Sequence, residues 1–272
     1  MKMGENWHVN APWAQLVCST QIPEDKVVKF YAISNEVLDE AEATDDPYGN
    51  GVIPLPWRIP YDKFGKYGVT EYIMEMIQHY LSTILSNGNI HSHLNTIIPG
   101  GPHTQWHSRI VDAWVVSQKE NDYIPVHAHD KVASFDNLTE SCKISGILYL
   151  KVPEQIERNT NDIAIRGGKD GQIVFTGMGG ADSFSTTTHL NILPQQGWLY
   201  LFPSSLTHQV YPFKGKGERR GISLNIDVIS TEQLQLIEEE VKAQKENITY
   251  NDYKIDTEED AKANSMGYKV KL

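Results

Sequence analysis

Residues 218–227 have the sequence Glu-Arg-Arg-Gly-Ile-Ser-Leu-Asn-Ile-Asp, in which polar and apolar residues alternate as in a β-strand with two different faces. The apolar face consists of Ile222, Leu224 and Ile226. The polar face consists of Arg219, Gly221, Ser223 and Asn225, and Arg220 points the other way. An arginine on the polar inner face of a strand is unusual in a structural core. The pattern suits a barrel that holds a polar, anionic ligand.

Six more short runs with the composition of β-strands precede this one. They are Ile110–Ser117, Tyr123–His129, Ile144–Val152, Ile173–Thr176, Trp198–Phe202 and Gln209–Phe213, and the strand described above extends over Gly221–Ile229. Turns that contain Gly, Pro or Asp separate them, and this spacing is typical of an antiparallel sandwich or barrel. The polar stretches 153–170 and 177–193 are predicted to be loops at its rim.

Helical periodicity is found on both sides of the β-region. Apolar residues recur at three- and four-residue spacing after Pro23, after Thr70 and after Ser230, whereas residues 44–69 have the composition of a long loop. We predict one domain over residues 1–272. Its parts are a mainly helical support (1–108), a β-core (109–229) and a C-terminal helix and tail (230–272) through which the protein could dimerise.

Composition and charge exclude several classes of partner. The net charge of the 272 residues is −11, whereas nucleic acids and anionic membranes bind to basic surfaces. No run of about 18 apolar residues and no signal-peptide core are present, which predicts a protein without a membrane partner. Only two cysteines occur, Cys18 and Cys142, so a reducing compartment is the simpler expectation. The predicted location is the cytoplasm.

Three histidines are the strongest candidates for a metal site. His127 and His129 lie two residues apart in a predicted strand, so both side chains can point to the same face. His208 follows a strand and a Pro-Ser turn and enters the next strand. Imidazole binds iron, zinc, copper or nickel. The pair His91 and His93 has no matching third residue, and we assign it no metal.

Four blocks of sequence resemble those of a known family. They are His127-Ala-His129, Ser145–Pro153, Gly197–His208 and Arg219–Asn225, and in this order they resemble the 2-oxoglutarate–iron(II) oxygenases that are common in phages and bacteria. The resemblance covers about residues 109–228. It implies a mainly β fold, the double-stranded β-helix, which is a cupin-like jelly roll of two antiparallel sheets with supporting N-terminal and C-terminal helices. If the protein is phage-encoded, the host cytoplasm is its expected location.

The same resemblance implies a ligand set for iron(II). Members of the superfamily usually bind the metal with two histidines and one carboxylate. Here His129 stands where the carboxylate is expected, so the implied ligands are His127, His129 and His208. Asp130 is the alternative to His129.

The resemblance also implies sites for the cosubstrates 2-oxoglutarate and O2. A guanidinium can pair with both oxygens of the far carboxylate of 2-oxoglutarate, and Arg219 is the expected anchor, with Arg220 as the alternative. Ser223 and Tyr149 are expected to donate hydrogen bonds to the cosubstrate. The implied activity is a dioxygenase that hydroxylates an unidentified protein side chain or small metabolite and releases succinate and CO2.

Two other classes of protein fit part of the pattern. A cupin-type metalloprotein, either an isomerase or a dioxygenase that does not use 2-oxoglutarate, can also have a His-x-His pair and a distal histidine. Cupins usually add a glutamate four to six residues after the pair, and residues 131–136 contain none. The third class is a jelly-roll binding module without catalytic activity.

Overall fold

The computed structural model describes residues 16–43, 57–86, 106–129, 131–133, 139–157, 170–177 and 188–231, together with 234, 235 and 239. The helices are α1 (Glu24–Ala43), α2 (Tyr61–Lys66), α3 (Thr70–Ser86) and α4 (Glu154–Glu157). The strands are β1 (Cys18–Gln21), β2 (Trp57–Arg58), β3 (Trp106–Gln118), β4 (Ile124–His127), β5 (Lys131–Ala133), β6 (Thr139–Ser141), β7 (Ile144–Lys151), β8 (Ile173–Thr176), β9 (His189–Ile192), β10 (Trp198–Pro203), β11 (His208–Val210) and β12 (Arg219–Ser230).

Two antiparallel sheets form the β-core. The large sheet has the strand order β1-β10-β7-β12-β3-β2, and the small sheet has the order β4-β11-β8-β9. Strands β5 and β6 pair separately. Among the described strands neither sheet closes on itself, so the core is a two-sheeted jelly roll rather than a closed barrel. The predicted fold class, a mainly β double-stranded β-helix, is confirmed.

Side chains from both sheets meet in one hydrophobic cluster. The large sheet contributes Ile147, Tyr149, Tyr200 and Phe202, and the small sheet contributes Ile173, Phe175 and Val210. Side chains two residues apart on a strand point to the same face. Residues two positions before or after a cluster residue on the same strand therefore also face inward. Strands β3, β7, β11 and β12 also place polar side chains in the cavity that residues of both sheets line, namely Gln118, Ser145, His208, Arg219 and Ser223.

Periodicity predicted helices α1 and α3 and seven of the strands, and it missed several other short elements. All seven predicted strands are present, with ends shifted by a few residues, and helices begin just after Pro23 and at Thr70. The loop predictions were wrong in part, since residues 44–69 contain β2 and α2, 153–170 contains α4, and 177–193 contains β9. Strands β2 and β9 are only two and four residues long and lie at sheet edges, where pairing with β3 and β8 stabilises them. Most of the predicted C-terminal helix and tail lies outside the described residues.

The chain divides into two compact units. The larger unit consists of Gln15–Met76 and Ile110–Asp227. The smaller unit consists of Met1–Ala14, Ile77–Arg109 and Val228–Leu272, and within it the Nε2 of His107 lies 3.1 Å from the Oγ1 of Thr231. The single domain predicted over 1–272 therefore stays a prediction. None of the described helices combines the length and the apolar character needed to cross a bilayer.

Candidate metal and cosubstrate site

Three imidazoles converge at the inner face of the small sheet. His208 on β11 is the direct register partner of His127 on β4, and directly opposed residues of antiparallel strands share one face. His129 follows two residues after His127, and its backbone N–H donates to the carbonyl of Ser204 (2.8 Å). Each ring offers one nitrogen, and these three nitrogens all lie within 4.8 Å of one another. The predicted metal ligands are thus brought together.

Backbone carbonyls hold two of the rings in one tautomer. The Nδ1 of His127 lies 2.8 Å from the carbonyl oxygen of Pro125, and the Nδ1 of His208 lies 2.9 Å from that of Leu206. A carbonyl only accepts hydrogen bonds, so each Nδ1 carries the proton and each Nε2 keeps a lone pair. This is the usual way in which a ligating histidine is oriented.

Aromatic side chains pack against His129 and His208, and burial keeps these two rings neutral. The ring of Trp114 stacks on His129 with centroids 5.9 Å apart, and Phe202 packs edge-on against His208 at 5.0 Å. Burial, together with the nearby His127 and His208, lowers the pKa of His129 to about 3. Burial likewise lowers the pKa of His208 to about 4, although its bond to the Leu206 carbonyl opposes this. Both rings are therefore uncharged at neutral pH and present lone pairs.

The donor set fits iron(II). Neutral imidazole binds iron, zinc, copper and nickel. Among the described residues, His127, His129 and His208 are the only group of at least three His, Cys, Asp or Glu side chains that could hold a metal ion. Asp130, the alternative ligand, lies outside the described residues.

A cavity between the two sheets connects the imidazoles to a buried arginine. It contains about 580 Å³ of empty space, counting its open mouth. The residues that line it are Trp114, Val116, Gln118, Ile124, His127, His129, Ser145, Gly146, Ile147, Tyr149, Ile173, Phe202, His208, Val210, Arg219, Gly221, Ser223 and Leu224. The predicted cosubstrate residues Tyr149, Arg219 and Ser223 therefore lie in the same cavity as the three histidines. Arg220 does not line this cavity.

Arg219 is held rigidly inside the cavity wall. Only 2% of it is exposed, and its Nε and Nη2 donate to the Oε1 of Gln118 at 3.2 and 2.6 Å. Its Nη1 donates to the carbonyls of Gly171 and of Tyr211. No carboxylate of the described residues forms an ion pair with it. Burial lowers its pKa to about 10, so the guanidinium stays charged at neutral pH.

Tyr149 is also fully buried beside this charge. Burial raises the pKa of its phenol to about 12, while the charge of Arg219 opposes the shift. The hydroxyl therefore keeps its proton at neutral pH and can donate a hydrogen bond.

Arg220 faces the opposite side of β12. Its Nε and Nη2 donate to Glu218 at 2.6 and 2.9 Å, its Nη1 donates to the Oδ1 of Asn35 at 2.5 Å, and its guanidinium lies over the ring of Tyr31. These contacts connect β12 to helix α1. The alternation predicted from residues 218–227 correctly places Arg219 and Arg220 on opposite faces of β12. The role of Arg219 as an anchor stays a prediction.

The carboxylate of Glu218 predicts how stability depends on pH. Burial raises its pKa, but hydrogen bonds from Arg220, Ser117 and Lys151 outweigh burial and lower it to about 2, below its ordinary value of 4.5. A carboxyl with a depressed folded-state pKa stabilises the fold above its unfolded-state pKa, and this contribution is lost as the pH falls from about 4.5 towards 2.

We therefore expect Glu218→Gln to be less stable than the wild type at pH 7, with the difference shrinking below pH 4.5. Urea unfolding at a series of pH values measures this difference. A difference that stays constant from pH 7 down to pH 2.5 would contradict the assignment.

Gln118 is a site residue that the sequence patterns did not identify. The predicted strand Ile110–Ser117 ended one residue too early, whereas β3 extends through Gln118. The alternation of Trp114, Val116 and Gln118 along β3 was the signal that could have placed it on the inner face.

A cluster of three histidines and a buried guanidinium thus line one cavity of a jelly roll. Residues 112–225 match the family model described as "Putative 2OG-Fe(II) oxygenase". Over these residues, which are fewer than half of the 272, the chain is similar to the 2-oxoglutarate–iron(II) oxygenase family. Iron(II), 2-oxoglutarate and O2 are the cofactor and cosubstrates of that family. The recognised resemblance is confirmed over nearly the same residues.

Several solved structures are similar to this chain at low sequence identity. The viral collagen prolyl hydroxylase of Paramecium Bursaria Chlorella virus-1, in its 2OG complex, is 16% identical over 76% of this chain and 94% of its own, with a TM-score of 0.41. A prolyl-4-hydroxylase of Pseudomonas putida is 14% identical over 77% and 83%, with a TM-score of 0.40. HygX of Streptomyces hygroscopicus, with nickel and 2-oxoglutarate bound, is 10% identical over 78% and 81%, with a TM-score of 0.41. No curated protein matches the sequence.

Proposed function

We propose that this protein is an iron(II)- and 2-oxoglutarate-dependent dioxygenase that hydroxylates a protein side chain or a small metabolite. The observation that carries the proposal is one cavity lined by three convergent imidazoles and by a buried guanidinium that forms no ion pair with any carboxylate of the described residues. A buried charge without a counter-ion is costly, so a site that retains one is suited to an anionic ligand.

Each of these side chains has a role in the proposal. His127, His129 and His208 would hold iron(II) through the lone pairs that burial and the backbone carbonyls keep available. Arg219 would hold the far carboxylate of 2-oxoglutarate. Ser223 and Tyr149 line the same cavity and would donate hydrogen bonds to the cosubstrate. When bound, iron(II) and 2-oxoglutarate would supply the oxidising chemistry: one oxygen atom of O2 would be used to convert 2-oxoglutarate to succinate and CO2, and the other would be inserted into the substrate.

The charges of the site favour a dianionic cosubstrate. Three neutral imidazoles leave the two positive charges of iron(II) uncompensated, and Arg219 adds a third in a buried setting. Opposite charges attract more strongly in such a setting than in water. The two carboxylates of 2-oxoglutarate would compensate two of the three charges, whereas a 2-oxo acid with one carboxylate would compensate only one. We therefore expect a preference for the dicarboxylic acid.

The aromatic and aliphatic part of the cavity would limit access of water. Trp114 and Phe202 pack against the ligand rings, and Ile147, Ile173 and Val210 line the wall between the histidines and the arginine. Exclusion of water strengthens every electrostatic contact inside the site.

A cytoplasmic location, with both cysteines as thiols, belongs to this proposal.

Formation of succinate tests the proposed function. The anaerobically purified protein is loaded with iron(II) and ascorbate, mixed with 2-oxoglutarate and exposed to O2. We expect slow release of succinate even without the hydroxylation substrate, and none when nickel replaces iron.

Two outcomes would overturn the proposal. Metal binding without affinity for 2-oxoglutarate in any metallated form would favour a cupin-type metalloprotein. Binding of 2-oxoglutarate without any succinate would favour a binding module without catalytic activity.

A further inference from the structure

The side chain of Gln118 contacts Arg219 and lines the same cavity. It is 2% exposed, it ends strand β3 and it lines the cavity together with Arg219 and Tyr149. Its Oε1 accepts two hydrogen bonds from the guanidinium of Arg219. Because a guanidinium has no acceptor, these contacts determine which end of the amide faces the arginine. The NH2 group of Gln118 must therefore point elsewhere.

That NH2 group has no hydrogen-bond partner. The Nε2 of Gln118 is buried and forms no hydrogen bond within the described part of the protein. A buried amide donor without a partner is costly, and buried amides in folded proteins are nearly always satisfied by protein, water or ligand. The cavity beside it is where an acceptor could be placed.

The hydrogen bonds of Arg219 show why a bound carboxylate would need a second donor from another residue. A guanidinium has five N–H groups, and its four hydrogen bonds to Gln118, Gly171 and Tyr211 leave one N–H, on Nη2. Arg219, held in this way, offers a carboxylate one donor rather than the usual fork of two. A carboxylate bound here would have one oxygen for Arg219 and one for a neighbouring donor.

We propose that Gln118 is a second binding residue for the far carboxylate of 2-oxoglutarate, which it contacts through Nε2 while its Oε1 orients Arg219. This proposal rests on the proposed function, because it needs the cosubstrate to bind beside Arg219. It explains in one arrangement why the amide donor is unpaired and why the guanidinium is turned towards the protein. The pair would recognise a carboxylate at the far end of a 2-oxo acid.

Calorimetric titration of the nickel-loaded protein tests this assignment without turnover. In the variant Gln118→Met, the affinity for 2-oxoglutarate is expected to fall by about 10- to 100-fold, which is typical for loss of a hydrogen bond to a charged group. The affinity for 2-oxobutyrate, which lacks the far carboxylate, should change less than about twofold. Gln155→Met is the matched control, since the amide of Gln155 donates to backbone carbonyls outside the cavity. Its affinities should equal those of the wild type.

A crystal structure of the wild type with nickel and 2-oxoglutarate separates direct contact from an effect through Arg219. The Nε2 of Gln118 is expected within hydrogen-bond distance of the far carboxylate, below about 3.2 Å. A separation above 4 Å, or a Gln118→Met variant with wild-type affinity for 2-oxoglutarate, would overturn the assignment of Gln118 alone. A wild type that binds no 2-oxoglutarate would overturn the proposed function as well. The crystal structure of the wild type gives the answer even if the variant fails to fold.

Discussion

Replacing His208 with alanine is expected to weaken binding of iron(II) by more than about 100-fold and to eliminate formation of succinate. Loss of a supporting residue around a metal ligand typically costs 10- to 100-fold in affinity, so loss of a ligand itself should cost at least as much. The change also opens a gap beside Phe175 and Phe202, which pack on this ring. Calorimetric titration under anaerobic conditions measures the metal affinity, and circular dichroism checks that the fold persists.

His189→Ala is the control for this experiment. His189 is exposed on β9, forms a hydrogen bond with the hydroxyl of Thr188 and does not line the cavity. Its removal should therefore leave the metal affinity and the formation of succinate unchanged. If His208→Ala binds iron(II) as tightly as the wild type, the metal is bound elsewhere and the site assignment is wrong.

Parallel variants decide between the two candidates for the third ligand. His129→Ala is expected to reproduce the loss of iron(II) seen for His208→Ala, because its ring nitrogen belongs to the convergent group. Asp130→Ala is expected to keep most of the affinity. The reverse result would make Asp130 the ligand and would restore the usual set of two histidines and one carboxylate.

The variant Arg219→Met is expected to reduce the affinity for 2-oxoglutarate by at least about 30-fold while leaving the affinity for the metal nearly unchanged. Truncation of one partner of a buried, hydrogen-bonded charge pair commonly costs about 2–5 kcal/mol, of which part reflects the partner charge that is left unpaired. Calorimetric titration of the metal-free protein with nickel measures the metal affinity, and titration of the nickel-loaded protein measures the affinity for 2-oxoglutarate. The loss should be much smaller for 2-oxobutyrate, which has no far carboxylate.

Arg220→Met provides a matched control from the adjacent residue. Its guanidinium contacts Glu218, Asn35 and Tyr31 on the other side of β12, so its removal should lower stability and leave 2-oxoglutarate affinity close to that of the wild type. Loss of 2-oxoglutarate affinity in Arg220→Met, together with normal affinity in Arg219→Met, would exchange the roles of the two residues.

Much of the fold could be predicted because it depends on local alternation. The polar and apolar residues of 218–227 predicted both the strand and the face on which Arg219 lies, and His127-x-His129 predicted two rings on one face. Helices α1 and α3 followed from apolar spacing in the same way. The short strands β1 and β2 were not predicted, because their sequences show no alternation of their own and pairing with the distant strands β10 and β3 stabilises them.

The sequence by itself determined the class of fold, the order of its long elements, the histidine cluster and the opposite faces of β12 on which Arg219 and Arg220 lie. Only the tertiary structure decided the protonation of the rings and the partners of the guanidinium. Gln118 lies 101 residues before Arg219 and the carbonyl of Gly171 lies 48 residues before it, so no local pattern contains these hydrogen bonds. The lowered pKa of His129 likewise comes from burial between strands that are remote in sequence. Periodicity predicts the direction in which a side chain points, whereas tertiary packing determines which groups it contacts.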